Sequence, residues 1–464
     1  MSRRMLHGET GNLQANERKV FARTVAMLAL PILINALIDS AVDMADTFML
    51  GFISQEALSA TALANNIIAV ANNFFFGLCT GAGILIAQYW GKKDHGAIKR
   101  SYGIALRVAL AVGFLISAVA VLLPDGLMRI FTDEANLIAE GSKYLRIVGV
   151  CNLLNAYSRV YVAAQRSMER AVIGTVANTT SLLLNVVLNA CFIFGIGPFP
   201  ALGIVGVALA TVISRVAGIA VCLYDAMRRD CVVRLGFKEL FVRDKVLSRD
   251  FARYTLPALG NDLAWSLGNS VFAAILGHMG AAVVAANAYA TTVRHMSAIP
   301  VTAVCNAAAV IVGKKLGENE LETARVYGRR FLRLSVAVGL ISVLIIGAAV
   351  PLMLAFPGLQ ADTAEYLRFM LIFSMPMMLS QAINRMLLDA VLRSGGDTLY
   401  GLWLGLAITW GTCALGGCIL AFVLHAPPMI IYMWVCMDEI VKVPCTVYRY
   451  RKGRWVTNIT REMA

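Results

Sequence analysis

The sequence has few charged residues and lacks the motifs of the common enzyme classes. Only 15% of its 464 residues are charged and 59% are hydrophobic, whereas a soluble globular chain is about a quarter charged. It contains no G-x-x-x-x-G-K-[ST] phosphate loop, no zinc or haem motif and no G-x-S-x-G turn. We therefore expect a membrane protein that is not an enzyme and that needs no cofactor.

Two further absences concern cysteine pairs and targeting signals. The ten cysteines include no C-x-x-C pair and lie mostly in apolar runs, so we expect free thiols buried in the membrane. The first 20 residues are polar and lack the apolar core and small-residue cleavage site of a signal peptide. We expect the first apolar helix to stay in place as a membrane anchor.

Apolar runs follow one another along the whole chain. Each is long enough to cross a hydrocarbon core of about 30 Å. We predict an all-α polytopic membrane protein of about twelve transmembrane helices. Their predicted positions are 24–50, 57–88, 101–123, 138–163, 171–195, 201–226, 254–277, 283–313, 327–356, 362–392, 398–424 and 428–448.

The loops between these runs alternate in charge. Basic loops such as GKKDHGAIKR (91–100) and GKKLGENELETARVYGRR (313–330) alternate with loops nearly free of Lys and Arg, such as GIGPFPALG and PGLQADTAE. The positive-inside rule then places both termini in the cytoplasm, in a multi-pass protein of the plasma (inner) membrane. The net charge of +13 is explained by this topology, so we expect the lipid bilayer and not a nucleic acid as partner.

The chain repeats itself with an offset of 226 residues. LPILIN (30–35) matches LPALGN (256–261), Gly91 matches Gly317, and NAYSR (155–159) matches QAINR (381–385). The Arg-Ser pairs at 166–167 and 393–394 follow one residue out of register. This pattern predicts two parallel six-helix repeats. The predicted organisation is a cytoplasmic N-terminal segment (1–23), a bundle (24–227), a cytoplasmic linker (228–253), a second bundle (254–448) and a cytoplasmic tail (449–464).

Three carboxylates lie on one face of the first span. Asp39, Asp43 and Asp46 are spaced by four and three residues, which places them within about 60° of each other on a helix. An aspartate at the centre of a membrane helix costs about 2.5–3.5 kcal/mol. Such a cost favours a functional role, most of all for Asp46, while Asp39 and Asp43 either pair with an arginine or line a wet vestibule.

Asparagines gather in the same half of the chain. Asn185 and Asn189 share a face of span five, and Asn155 lies in span four. An amide-lined cavity that faces carboxylates is suited to a proton or to Na⁺, which prefers oxygen ligands. The alternative is that the asparagines only form hydrogen bonds between helices.

The second half carries its polar residues at other positions. Position 272, opposite Asp46, is Phe, and the acid is found at Asp262 instead. Arg159 and Arg385 occupy matched positions, for which snorkelling or pairing with an acid is the simplest role. Trp265 is a candidate for a cation–π contact with substrate. Further ionisable residues within predicted spans are Arg294, His295, Asp389, Asp438 and Glu439.

Pro31 and Pro257, at matched sites, either bend their helices or start them.

Several long motifs resemble the multidrug and toxic compound extrusion (MATE) transporters over nearly the whole chain. They include ALPILINALIDSAVDMADTFMLGFISQEALSA, GILIAQYWGKKD, SLLLNVVLNACFIFGIGPFPALGIVGVALATVISR and LRSGGDT. The resemblance implies that Asp46 is the N-terminal coupling carboxylate, that Asn185 is its partner and that Asp262 is the acid of span seven. Asn189 stands where proton-coupled relatives often carry a second Asp, which leaves the coupling ion open.

The resemblance implies a secondary active antiporter that exports amphipathic cations in exchange for H⁺ or Na⁺. We expect ion coupling at Asp46, Asp43, Asn185, Asn189 and Asp262, with any Na⁺ near Asp46 and Asn185. We expect substrate contacts at Asp39, Asp46, Asn155, Asp262 and Trp265, and no obligate protein partner. The alternative is a flippase for a lipid-linked saccharide, which Arg294, Arg159 and Arg385 favour and the acids of span one disfavour. A channel is the weakest candidate, because the repeats are not symmetric at Asp46 and Phe272.

Overall fold

The computed structural model of this chain describes residues 19–41, 49, 55–196, 199–227, 232–233, 244–355 and 360–462. Within these ranges the chain is helical and contains no β-strand. The helices are α1 (Lys19–Ala41), α2 (Gln55–Lys92), α3 (His95–Leu122), α4 (Pro124–Met128), α5 (Ala135–Gly149), α6 (Cys151–Ser167), α7 (Ala171–Phe194), α8 (Gly203–Met227), α9 (Lys245–Gly277), α10 (Ala281–Gly317), α11 (Leu321–Leu354), α12 (Ala361–Leu392), α13 (Thr398–Val423), α14 (Pro428–Cys436) and α15 (Asp438–Arg451).

Nine helices of the described part are long and apolar enough to cross a membrane: α1, α2, α3, α7, α8, α10, α11, α12 and α13. The other three predicted spans are α5 with α6, α9, and α14 with α15. Two of these predicted spans are interrupted: 138–163 breaks at Val150, and 428–448 breaks at Met437. Hydropathy reports how long an apolar run is, and it does not report whether the backbone is continuous through it.

Helix α9 begins earlier than its predicted start at residue 254. The side chain of Asp244 accepts a hydrogen bond from the Leu247 N–H at 2.9 Å and thereby caps the helix. Its carboxylate also lies 3.0 Å from Arg100, and these two contacts, the Leu247 bond first, lower the pKa of Asp244. The first two turns of α9 are charged, so a search for apolar runs could not include them.

The two matched prolines lie inside their helices. Pro31 is in α1, which already includes Lys19, and Pro257 is in α9, which begins at Lys245. Of the two alternatives, a role in starting the helices is therefore excluded, because a starting proline occupies the first turn. Their role in bending the helices stays a prediction.

The turns that follow α2 and α10 have the same backbone at the predicted offset. Lys93 and Asn319 both adopt a left-handed conformation with φ of 62°. The Lys93 N–H donates to the Trp90 carbonyl at 3.1 Å, and the Asn319 N–H donates to the Leu316 carbonyl at 3.1 Å. The repeat seen in the sequence is thus a repeat of local structure.

The one-residue change of register between the repeats has a structural cause. After α6 the Glu169 N–H donates to the Arg166 carbonyl at 3.0 Å, and after α12 the Gly396 N–H donates to the Arg393 carbonyl at 2.9 Å. These matched turns are 227 residues apart, although the matched residues Arg159 and Arg385, which precede them, are still 226 apart. Between Arg385 and its turn the C-terminal copy forms a π-helical segment, Arg385–Leu392, whereas α6 is α-helical throughout. A π-bulge takes up one extra residue in a helix, which accounts for the change.

The N-terminal and C-terminal halves meet along α2, which packs against α9 and α10. Glycines make the approach close: a Cβ at Gly81 would lie 2.6 Å from the Thr255 Cα. At the end of the molecule that carries the basic loops, here called the basic end, a Cβ on Gly91 would collide with the Lys314 carbonyl, and one on Gly317 with the Gln88 carbonyl. The two-bundle division and the linker stay predictions.

The C-terminal tail packs across both halves at the basic end. The Gln88 amide donates to the Ser394 carbonyl at 2.6 Å and its oxygen accepts the Ile459 N–H at 2.9 Å. Arg461 forms an ion pair with Asp250 at 2.6 Å. The predicted tail (449–464) is therefore ordered against the bundle over its described residues.

Candidate functional site

The predicted acidic face of the first span is only partly visible in this structure. Asp43 and Asp46 lie outside the described residues, so their coupling and substrate roles stay predictions. Asp39 is half-buried on α1, and its carboxylate accepts a hydrogen bond from the Asn35 amide at 3.1 Å. Asn155, on α6, is likewise half-buried.

Asn185 and Asn189 are buried and bonded to their neighbours. The Asn189 amide donates to the Asn185 oxygen at 3.3 Å, and the Asn185 amide donates to the Thr211 hydroxyl of α8 at 3.4 Å. These bonds link α7 to α8, as in the alternative in which the asparagines hold helices together.

A cavity of about 420 Å³ lies between the two halves. Asp262 and Trp265, two of the predicted site residues, line it, and Asp39, Asn155, Asn185 and Asn189 are outside its lining. The N-terminal half contributes α2 and the end of α6, and the C-terminal half contributes α9, α10, α12, α13 and α15. Polar lining residues are Asn73, Thr80, Arg166, Ser167, Asn261, Asp262, Ser266, His295, Thr302, Asn306, Asn384, Arg385, Asp389, Arg393, Ser394, Thr409, Glu439 and Lys442.

The first charged group of the cavity is built around Arg393. Its guanidinium lies 2.7 Å from the Asp262 carboxylate and 3.0 Å from that of Asp389. A second bond to Asp262, at 3.4 Å, makes that contact two-pronged, which is the geometry that planar guanidinium and carboxylate groups favour. Asp262 is therefore already engaged by a basic residue from another helix, a contact that the sequence analysis did not include.

The second charged group surrounds Lys442 of α15. Its ammonium lies 2.7 Å from Asp438 and 3.8 Å from Glu439, and the Asn384 amide donates to Glu439 at 2.8 Å. All three ionisable side chains are less than a tenth exposed. The break at Met437 places both acids in the first turn of α15, where the helix dipole favours negative charge.

Sequence reasoning missed Lys442, although a signal for it was present. An ionisable residue within a predicted span indicates a functional site, and Lys442 follows Asp438 by four residues, a spacing that brings side chains together on a helix. Asn261 is a second missed residue: with its amide reoriented, its oxygen accepts from Arg393 at 2.7 Å. No sequence signal identifies that contact.

Arg385 lies in the cavity without a described carboxylate in contact. Its guanidinium donates to the Thr302 hydroxyl at 2.9 Å, and its central carbon lies 5.8 Å from the centre of the Trp265 ring. The predicted cation–π site at Trp265 thus has a cation of the protein on it. Arg294, by contrast, donates to Tyr432 at 3.0 Å and to Thr291 at 2.7 Å, and is outside the cavity lining.

Comparisons with known proteins agree with this architecture. The family model MatE matches residues 31–191 and 257–409. The "Uncharacterized transporter YisQ" of Bacillus subtilis (strain 168) is 23% identical over 423 residues, which cover 89% of this chain and 90% of that protein. The "Probable multidrug resistance protein NorM" of Thermotoga maritima is 26% identical over 297 residues, covering 64% of this chain and 63% of that protein.

A solved structure of a Pyrococcus furiosus protein aligns with a TM-score of 0.78 at 18% identity, covering 93% of this chain and 96% of that one. It is described with the words "Reverse polarity of binding pocket suggests different function of a MOP superfamily transporter". The likeness shows a shared fold. Because the family model matches both repeats of the chain, this multi-pass membrane protein is a transporter and belongs to the MatE family.

Proposed function

We propose that this chain is a secondary active antiporter that exports amphipathic small molecules in exchange for H⁺ or Na⁺ by alternating access. The name of the Thermotoga maritima relative supports multidrug export. The basic loops support an orientation with both termini in the cytoplasm. The substrate would occupy the cavity between the halves, because a path that opens to each side in turn must lie at their interface.

The observation that carries the proposal is the charge balance of the C-terminal half. Arg393 is shared by Asp262 and Asp389, and Lys442 is shared by Asp438 and Glu439. Each group has one carboxylate more than it has basic side chains. With Arg385 counted, one negative charge remains over the two groups, and an entering H⁺ or Na⁺ would neutralise it.

Coupling follows if the ion and the substrate stabilise different arrangements of the halves. Loss of the excess negative charge would weaken the hold of these residues on a cationic group of the substrate, most readily at Asp389, whose side chain is 41% exposed. Asp46 would act in the same way in the N-terminal half. A ligand can shift such an equilibrium only by its difference in affinity for the two arrangements.

The flippase alternative requires a basic cavity for a pyrophosphate group. Of the three arginines that favoured it, Arg294 is engaged with Tyr432 and Thr291, and the cavity also contains carboxylates. The antiporter is therefore the better supported function.

Uptake into proteoliposomes tests the proposal. A fluorescent amphipathic cation should accumulate when a pH gradient or a Na⁺ gradient is imposed, and the effective gradient identifies the coupling ion. Glu439→Gln and Asp46→Asn should each lose gradient-driven transport, whereas Arg170→Gln, a change outside the cavity, should keep it. Equal flux with and without a gradient would indicate a channel, and full transport by both variants would contradict the assigned sites.

A further inference from the structure

The cavity contains two arginines that the repeat places in equivalent positions but that have different surroundings. Arg166 and Arg393 each precede a serine, and their carbonyls accept the same turn hydrogen bond, from Glu169 and Gly396 respectively. Both side chains line the 420 Å³ cavity. They are therefore structural counterparts, one from each half.

Their partners are not repeated. Arg393 is held by Asp262 and Asp389. The position that matches Asp262 at the offset of 226 is Ala36, and the residue four before Arg166 is Val162, where Asp389 stands four before Arg393. Among the described residues, no carboxylate pairs with Arg166 and no acceptor bonds its guanidinium. Within the part of the chain that the structure describes, the C-terminal half neutralises its arginine internally and the N-terminal half does not.

The surroundings of Arg166 suit a ligand with an acidic group and an apolar body. Gly83 lets α2 approach the end of α6 closely, because a Cβ there would lie 3.1 Å from the Ser167 hydroxyl. Phe76, Ile84, Val310 and Leu388 line the same cavity. A half-buried guanidinium without a partner is a strong site for a carboxylate or phosphate, since it offers several donors in a fixed plane.

We propose that Arg166 binds an acidic group, a carboxylate, phosphate or sulfonate, on the amphipathic substrate of this cavity. This inference rests on the proposed transport function, because that function is what makes the cavity a substrate site. The charges around the cavity are compatible with it, because Arg166 offsets the one negative charge that remains over the two carboxylate groups once Arg385 is counted. The substrate class is thus an amphipath with an acidic group, and it can carry a cationic group as well.

The experiment measures binding, so that its outcome does not depend on coupling. The purified full-length protein is titrated with an amphipathic aromatic carboxylate and, separately, with its methyl ester. The wild type should bind the acid about tenfold or more tightly than the ester, as expected for a charge-assisted hydrogen bond in a partly buried site. A short-chain lipid pyrophosphate is titrated as a third ligand, and its affinity, compared with that of the soluble acid, shows whether the site prefers a soluble acid or a lipid headgroup.

Variants assign the effect to the residue. Arg166→Gln should lower the affinity for the acid to that for the ester and leave the ester unchanged. Arg166→Lys should restore part of the preference. Arg170→Gln is the matched control, because Arg170 is in the next turn, is paired with Asp225 at 3.3 Å and is outside the cavity lining.

Three results would overturn the proposal: equal affinity of the wild type for acid and ester, no binding of either, or an unchanged preference in Arg166→Gln. If Arg166→Gln fails to fold, the wild-type comparison and Arg166→Lys still decide the question. Failure of the proposed antiport would be seen separately, as absence of gradient-driven transport in a protein that still prefers the acid.

Discussion

The N-terminal and C-terminal halves share a backbone plan and differ in how they treat charge. Their turns match in hydrogen bonds and in the left-handed residues Lys93 and Asn319. Yet the C-terminal half surrounds Arg393 with two carboxylates, and the N-terminal half leaves Arg166 open to the cavity. Backbone geometry is kept because both halves must fit the same bilayer and the same interface, while side chains facing the cavity are free to specialise.

The largest expected effect comes from removing Asp262, the acid whose counterpart in the N-terminal half is Ala36. Asp262→Asn deprives the buried Arg393 of its two-pronged partner, and breaking a buried ion pair costs about 3–5 kcal/mol. We expect a large drop in the thermal midpoint of the purified protein. Asp389→Asn should cost less, since that carboxylate is more exposed than Asp262. Equal effects would mean that Arg393 does not discriminate between its two partners.

The matched glycines test whether the halves share their interface evenly. Gly91→Val and Gly317→Val each force a side chain against the backbone of the opposite helix, and such overpacking costs about 1–3 kcal/mol. Both variants should unfold at lower temperature by similar amounts. Gly126→Ala is the control, because nothing lies within 4 Å of a Cβ there. A stable Gly317→Val protein would show that α2 and α10 separate easily.

Position 88 and its counterpart 314 provide a third comparison. Gln88 is fully buried and bonds Ser394, Thr457 and Ile459, whereas Lys314 forms a half-exposed ion pair with Glu169 at 2.7 Å. Gln88→Ala should destabilise by about 1–3 kcal/mol, because it leaves buried backbone groups unpaired. Lys314→Ala should cost less than about 1 kcal/mol. Denaturant unfolding in a mild detergent measures both, and the reverse order would contradict the stabilising role assigned to the Gln88 hydrogen bonds.

The smallest effect concerns the residues that precede α3 and α11. Asp94 caps α3 by accepting the Ala97 N–H at 2.9 Å, so Asp94→Ala should cost about 1 kcal/mol. Its counterpart Glu320 makes no side-chain cap and instead accepts a hydrogen bond from Lys315 at 3.0 Å, which is the main cause of its lowered pKa. A lowered pKa stabilises the fold above the ordinary glutamate range.

The Glu320 contribution should therefore disappear as the pH falls below about 4.5, and it should be small because the side chain is exposed. Unfolding curves of Glu320→Gln and wild type should differ slightly at neutral pH and converge in acid. A difference that grows in acid would contradict this assignment.

Sequence reasoning predicted most of the fold and part of the cavity. Asp262 and Trp265 were named for their position and chemistry, and both line the cavity. The Asp262–Arg393 pair could not be predicted, because it joins residues 131 positions apart on helices whose facing depends on packing. The breaks at Val150 and Met437 were also missed, since an apolar run has the same composition on either side of a break.

By itself, the sequence determined the helices and the repeat, because apolar length and periodic motifs are local properties that need no partner to be recognised. It even contained the one-residue shift that the π-helical segment Arg385–Leu392 explains. Only the tertiary structure decided which charges meet. A carboxylate and a guanidinium stabilise one another over a few ångströms, and the distance between Arg393 and Asp262, like the opening beside Arg166, exists only once the helices of both halves have packed.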